Sequence, residues 1–452
     1  MKKYEIDMTH GSIAKKLLLF SLPLMLSSVL QLLYNAADIV VVGRFDGETS
    51  LAAVGSTSSL INLIVTVFIG YSTGAGVVIS KYFGAQDSTG TERAVRTCIT
   101  MAFIFSVFLL FVGVIGAKFF LGLMSCPEDV IDKATLYMRI YFLGMPGFML
   151  YNFGSGVLRA VGDTKRPLYY ASLSGVVNVL LNLVFVIKFK MGVAGVAVAT
   201  IISQYISAAL VMRCLIKSDG SYRFNIKNIG IDKKEFIQMT KIGLPAGIQS
   251  SMFSISNVTI QSVVNSYGSV VMAGNAAANN IDGFVYAILN SISQGVLTFS
   301  GQNFGAGKMR RIRKGVAKSL LLSFAIVGSI SVLVNVFSHQ LLGIYSTDSE
   351  VIGIGAYKML FVSGTYFICG FNEIFVSGIR GIGHSFSPML TSVFGICGIR
   401  IVYVMTIYKL FNSLPSLYLA YPLSWTVTAI INGILFYSLW KKTTDKMKKS
   451  LA

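Results

Sequence analysis

The second half of this 452-residue chain repeats the first. Arg159, Gly162 and Pro167 return as Arg380, Gly383 and Pro388, each 221 residues further on (159 to 380, 162 to 383, 167 to 388). Phe83-Gly84-Ala85 returns as Phe304-Gly305-Ala306 at the same spacing, and Leu22-Pro23 as Leu244-Pro245 one residue later. The chain must therefore build one structural unit twice. In an apolar sequence, duplication at half the chain length is typical of secondary transporters.

Apolar residues make up 54% of the sequence and charged residues only 13%, which removes it from the soluble globular class. A bilayer core of ~30 Å needs about 20 apolar residues per helical span. Suitable stretches fall at 14–43, 51–81, 94–118, 134–158, 168–188 and 192–213, and again at 236–266, 271–302, 316–338, 356–379, 386–408 and 416–440. The expected fold is an all-α membrane protein of twelve transmembrane helices in two six-helix repeats. Because each repeat has an even number of spans, the two are parallel and not inverted. The domains expected are an N-lobe over residues 1–213, a cytoplasmic linker over 214–235 and a C-lobe over 236–452.

The net charge of +19 has a topological explanation. With both termini in the cytoplasm, most Lys and Arg fall in cytoplasmic segments, including the run Arg310-Arg311-Ile312-Arg313-Lys314. Only a few remain on the outer side, Lys358 among them, as the positive-inside rule requires. The basic balance then reflects anionic headgroups, and no nucleic-acid partner is expected. Five scattered cysteines and three isolated histidines suggest no disulfide framework, metal site or nucleophile–base set. The chain is not expected to be an enzyme or to hold a tightly bound cofactor.

Acids inside spans are costly and mark function. There are three: Asp38, Asp282 and Glu373. Asp38 shares one helical face with Ser27, Gln31, Tyr34 and Asn35, at steps of three and four. That face should look into a wet cavity, where a carboxyl can load and release a proton; a permanently paired structural acid is the alternative. Pro23 removes a backbone hydrogen bond earlier in the same helix and offers a hinge. Asp282 belongs to a second stripe, Asn275, Asn279, Asp282, Tyr286, Asn290 and Ser293. This stripe could line a substrate cavity in which Asp282 pairs an organic cation and Tyr286 offers a π face, or could bind helices together. Glu373 corresponds to Asn152 in the first repeat, and Arg400 in the eleventh span is its expected partner, as a structural ion pair or beside a cation-binding role for Glu373.

These landmarks resemble the multidrug and toxic compound extrusion (MATE) family of antiporters along essentially the whole chain. The likeness rests on Pro23 and Asp38, Phe83-Gly84-Ala85-Gln86, the run Gly301–Gly307, and the Leu158-Arg159 and Ile379-Arg380 repeats. It implies two lobes forming a V, and export of small, mostly cationic organic compounds in exchange for inward H+ or Na+. It also implies a monomer resident in the cytoplasmic (inner) membrane of the cell. In prokaryotic members a first-span Asp, a Tyr one turn earlier, Asn and Asp on span five and Thr on span six form a cation site. Here Asp38, Tyr34, Asn178 and Thr200 match, with Asn35 alongside, while Asn182 stands where the second acid is expected. Gln31, Asn275, Asn279, Asp282, Tyr286, Asn290 and Glu373 make up the candidate substrate cavity. A flippase for a lipid-linked oligosaccharide or other amphiphile, with a related architecture, is the alternative.

Overall fold

The computed structural model describes residues 4–46, 48–124 and 126–451; residues 1–3 of the expected N-lobe lie outside this range. The described residues are helical with no strand. In the first repeat lie α1 (Ile13–Phe45), α2 (Glu48–Gly84), α3 (Ser88–Leu123), α4 (Glu128–Leu143), α5 (Met145–Ala160), α6 (Lys165–Asn182) and α7 (Gly192–Ile216). In the second lie α8 (Lys233–Asn265), α9 (Ser269–Gly305), α10 (Met309–Val336), α11 (Ser338–Leu342), α12 (Ser349–Phe361), α13 (Tyr366–Gly381), α14 (Phe386–Ser392), α15 (Ile399–Met405), α16 (Ile407–Phe411) and α17 (Leu414–Leu451). π-helical turns at Leu183–Lys188 and Val393–Gly398 extend α6 and join α14 to α15.

Each expected span falls on a helical stretch, although several are interrupted. Among the described residues, nine stretches are long and apolar enough to cross a bilayer by length and composition. The other three are α4–α5, broken at Gly144, and the polar-striped α8 and α9. On α3, Ile104, Phe108, Phe111, Ile115 and Phe119 form one exposed stripe. Such a surface belongs against lipid, and the chain is a multi-pass membrane protein.

Two compact units emerge. Unit 1 takes residues 4–7 and Leu26–Leu244; unit 2 takes Met8–Met25 and Pro245 onward. This differs from the expected division at 214–235. The supposed linker is bound into unit 1: Tyr222 is buried and donates to Glu5 (2.9 Å), Arg96 donates to Asn228 (3.0 Å), and the fully buried Glu235 accepts from Tyr82 (3.1 Å). These ties carry the first turns of α8 with unit 1, and the change of unit comes at Pro245. The start of α1 belongs to unit 2 for the same kind of reason. The Met8 amide donates to Gln302 (2.9 Å), and Arg311 donates to the carbonyls of Met8, His10 and Gly11. Of the three unit changes, those after Met25 and Leu244 fall within a few residues of a helix-interior proline, Pro23 and Pro245.

In unit 1, Tyr71 and Phe68 each meet Phe105 at 5.0 Å between ring centroids. α2 approaches the start of α8 so closely that a Cβ on Gly74 would lie 2.5 Å from the Gly243 amide nitrogen. In unit 2 the core runs through α9, α10, α13 and α17, with Leu289, Ile292, Val316, Ile374 and Phe436 among its buried residues. The repeated Gly162 and Gly383 both sit at positive φ, 93° and 91°, closing the turns before α6 and α14 where a side chain would be strained.

Candidate functional site

Unit 1 encloses a cavity of about 500 Å3. Gln31, Tyr34, Asn35 and Asp38 line one wall from α1, and Asn178, Thr200 and Gln204 line another from α6 and α7. The three-and-four spacing on α1 is what turns these side chains to the same side. Asn182, only 1% exposed, stands behind the carboxylate. Its amide donates both to Asp38 and to the Asn178 carbonyl oxygen (3.3 Å); Asn178 donates in turn to Thr200 (3.4 Å), whose hydroxyl donates to the Val196 carbonyl (2.9 Å).

The structure thus gathers Asp38, Asn178, Asn182 and Thr200 into one hydrogen-bonded chain. Among the described residues no Lys or Arg forms an ion pair with Asp38. Tyr34 lies in the same cavity, but its hydroxyl donates to the Ser172 carbonyl (3.4 Å) and its ring packs where a Cβ on Gly175 would stand. The widened π-helical turn begins immediately after Asn182, and such turns recur at functional sites. Sequence reasoning missed Tyr137 and Tyr141 of α4 on the cavity wall, whose rings lie 6.0 Å apart. It also missed the continuation of the α7 stripe through Ser203, Gln204 and Ser207. The spacing 200, 203, 204, 207 was the available signal.

Unit 2 holds its own cavity, of about 570 Å3. Asn279, Asp282, Tyr286 and Glu373 line it; Gln31 belongs to the unit 1 cavity. Asn290 is exposed and outside the lining, and Asn275 is buried beside it, donating to Gln261 (2.8 Å).

Two expectations about charge are corrected. Lys358 is not on the outer surface: α12 begins at Ser349, so the residue falls in its third turn, 1% exposed, on the cavity wall. Its Nζ lies 3.5 Å from Asp282, donates to Asn279 and to the Asn275 carbonyl (3.3 Å), and so occupies the acid expected to be free for a substrate cation. Ser363 donates to Asp282 as well. The second correction concerns Arg400, which forms no ion pair with Glu373. It donates to Ser424 (3.1 Å) and Asn257 (3.1 Å), with its guanidinium 4.4 Å from the Tyr421 ring and 5.7 Å from that of Trp425. Planar guanidinium prefers such stacked, multiply bonded seats.

The MatE family model matches residues 23–184 and again residues 245–406. The chain is 29% identical over 440 residues to "Probable multidrug resistance protein YoeA" of Bacillus subtilis, covering 95% of both chains. It is 24% identical over 406 residues to "Probable multidrug resistance protein NorM" of Thermotoga maritima, covering 88% of this chain and 87% of the other. Among solved structures, a MATE crystal structure in the straight conformation matches at a TM-score of 0.91 and 19% identity, covering 97% of this chain and 98% of that one. The bent conformation matches at 0.89 and 20%, with the same coverage. The two matched segments fall on the two halves of the internal repeat, and the chain belongs to the MatE family, the multidrug and toxic compound extrusion transporters.

Proposed function

We propose that this protein exports small, mostly cationic organic compounds across the cytoplasmic membrane, driven by inward H+ or Na+ exchanged at Asp38. The observation that carries this reading is a single carboxylate on a cavity wall, held by an amide chain and facing no basic side chain. A group so placed can take up and release a cation, whereas a salt-bridged acid would be fixed. The naming of relatives as probable multidrug resistance proteins supports the export of diverse compounds.

The donor set favours H+ over Na+. Asn182 presents its amide nitrogen to the carboxylate, and no second acid joins Asp38. A 100 mV potential supplies ~2.3 kcal/mol per charge, so one ion exchanged for a neutral compound sustains more than a tenfold gradient. Exchange one-for-one with a monovalent cation is electroneutral and draws on the chemical gradient alone. Pro23 is the proposed hinge, both termini are cytoplasmic, and the monomer is the working unit. The flippase alternative wants free positive charge for a pyrophosphate, and both basic groups of the unit 2 cavity are already engaged. Efflux of tetraphenylphosphonium from proteoliposomes, with pH and Na+ gradients imposed separately, tests the proposal. Efflux under an inward proton gradient is expected; efflux indifferent to both gradients rejects coupling.

A further inference from the structure

The Lys358–Asp282 pair is not required by the fold. At the repeat spacing of 221 (61 to 282, 137 to 358), Ile61 and Tyr137 occupy the equivalent positions in unit 1, both on the wall of its cavity and both largely buried. One architecture therefore accepts an apolar and aromatic pair where the other copy carries opposite charges. Burying two charges in place of such a pair gives no net stability in general, so the charges call for another role.

Their arrangement is that of an ammonium receptor. Around one Nζ stand a carboxylate oxygen of Asp282, the side-chain oxygen of Asn279 and the Asn275 carbonyl, while Ser363 holds the carboxylate. Tyr286 flanks the same cavity and is 41% exposed. The ammonium filling this receptor sits on a four-carbon stem whose rotations can withdraw it from Asp282 and Asn279. Replacement by an incoming cation would keep Asp282 neutralised throughout.

We propose that Lys358 is a resident stand-in for the transported cation: a monovalent organic cation binds unit 2 by displacing the Lys358 ammonium from Asp282 and Asn279. This rests on the reading that the protein carries organic cations. Lys358 then sets selectivity, because only a ligand bearing positive charge can take its seat, and it weakens every such ligand by competing with it.

Equilibrium dialysis of the purified full chain against tetraphenylphosphonium, with triphenylphosphine oxide as the neutral match, tests this without any ion gradient. Lys358→Met should bind the cation at least about fivefold tighter than the unaltered chain, within the usual range of coupling factors, and the neutral compound equally. Lys358→Met combined with Asp282→Asn should lose the gain. Unimproved cation binding by a folded Lys358→Met, or a gain that survives in the double variant, overturns the proposal. Should Lys358→Met fail to fold, acylation of Lys358 in the unaltered chain decides. Saturating tetraphenylphosphonium should raise its labelling by a small water-soluble reagent, and unchanged labelling counts against displacement. Because binding is read at equilibrium, a gain here together with gradient-independent efflux would reject coupling at Asp38 and leave this inference standing.

Discussion

The two cavities are built from the same positions of a repeated fold and carry different chemistry. In unit 1 the wall has one acid, Asp38, tied to Asn182 and flanked by tyrosines. In unit 2 the wall has two acids and two bases, Lys358 seated on Asp282 and Arg400 on amide, hydroxyl and ring partners. Asn152 and Glu373, 221 residues apart, each line their own cavity. An ion that must bind and leave needs an acid without a resident basic partner, and the unit 1 wall carries such an acid. A cavity that must reject uncharged compounds can keep its acid occupied until a cation arrives, which unit 2 supplies. On the proposed reading, coupling belongs to the first copy and selectivity to the second.

The largest effect expected is at Asp38. Asp38→Asn should reduce gradient-driven efflux to background while leaving the protein folded in the membrane, as proteoliposome transport and size-exclusion profiles would record. Asn182→Asp sharpens the contrast next: a second carboxylate beside Asp38 supplies an oxygen ligand that Na+ favours. Efflux by that variant should become Na+-dependent, and an ion preference that does not move would show that Asn182 takes no part in ion choice. In unit 2, Arg400→Met removes two charge-assisted hydrogen bonds, each worth about 1.5–3 kcal/mol. A lowered melting temperature in detergent is expected, with Glu373→Gln changing stability far less because the two side chains are not paired.

The smallest effect compares one turn in both copies, where Asp163 of unit 1 corresponds to His384 of unit 2 (163 to 384). Burial pushes the Asp163 carboxyl up to about 6 against the opposing pull of the Arg166 guanidinium at 2.9 Å. Between its ordinary value of 3.8 and about 6 the folded chain holds a proton that the unfolded chain has lost. Stability from this group therefore falls as pH rises through that window. At His384 burial, with Lys446 and Lys442 nearby, pushes the imidazole below its ordinary 6.5. There the unfolded chain binds the extra proton, and stability falls as pH drops below 6.5. Asp163→Asn and His384→Asn should flatten slopes of opposite sign in melting temperature against pH, each by about 2–4 °C or less. Slopes of the same sign would break the comparison.

Much of this was legible in the residues. The repeat, the helical stretches and the stripe from Gln31 to Asp38 follow from spacing alone, and Asn178, Asn182 and Thr200 share one hydrogen-bonded chain with Asp38. Lys358 was not legible, because an apolar window beginning at 356 leaves it at a span edge, whereas Asp348 caps a helix that starts at Ser349. Charge counting likewise suggested Glu373 for Arg400. It cannot see that Tyr421, Trp425, Asn257 and Ser424 from other helices reach the guanidinium first. The break at Gly144 is marked by that glycine and by Pro146 in the first turn of α5, and the one at Ser363–Thr365 by Gly364, whereas the break at Thr406 has neither Gly nor Pro beside it to announce it. The binding of 214–235 to unit 1 depends on long-range hydrogen bonds that a polar composition conceals.

Proton movement counted against substrate movement bears most directly on the central claim. With a pH dye trapped in proteoliposomes, an imposed tetraphenylphosphonium gradient should drive protons in the opposite direction through the unaltered protein. Asp38→Asn should show no such proton flux. Equal proton flux through both would place coupling elsewhere in the chain and contradict the assignment of Asp38.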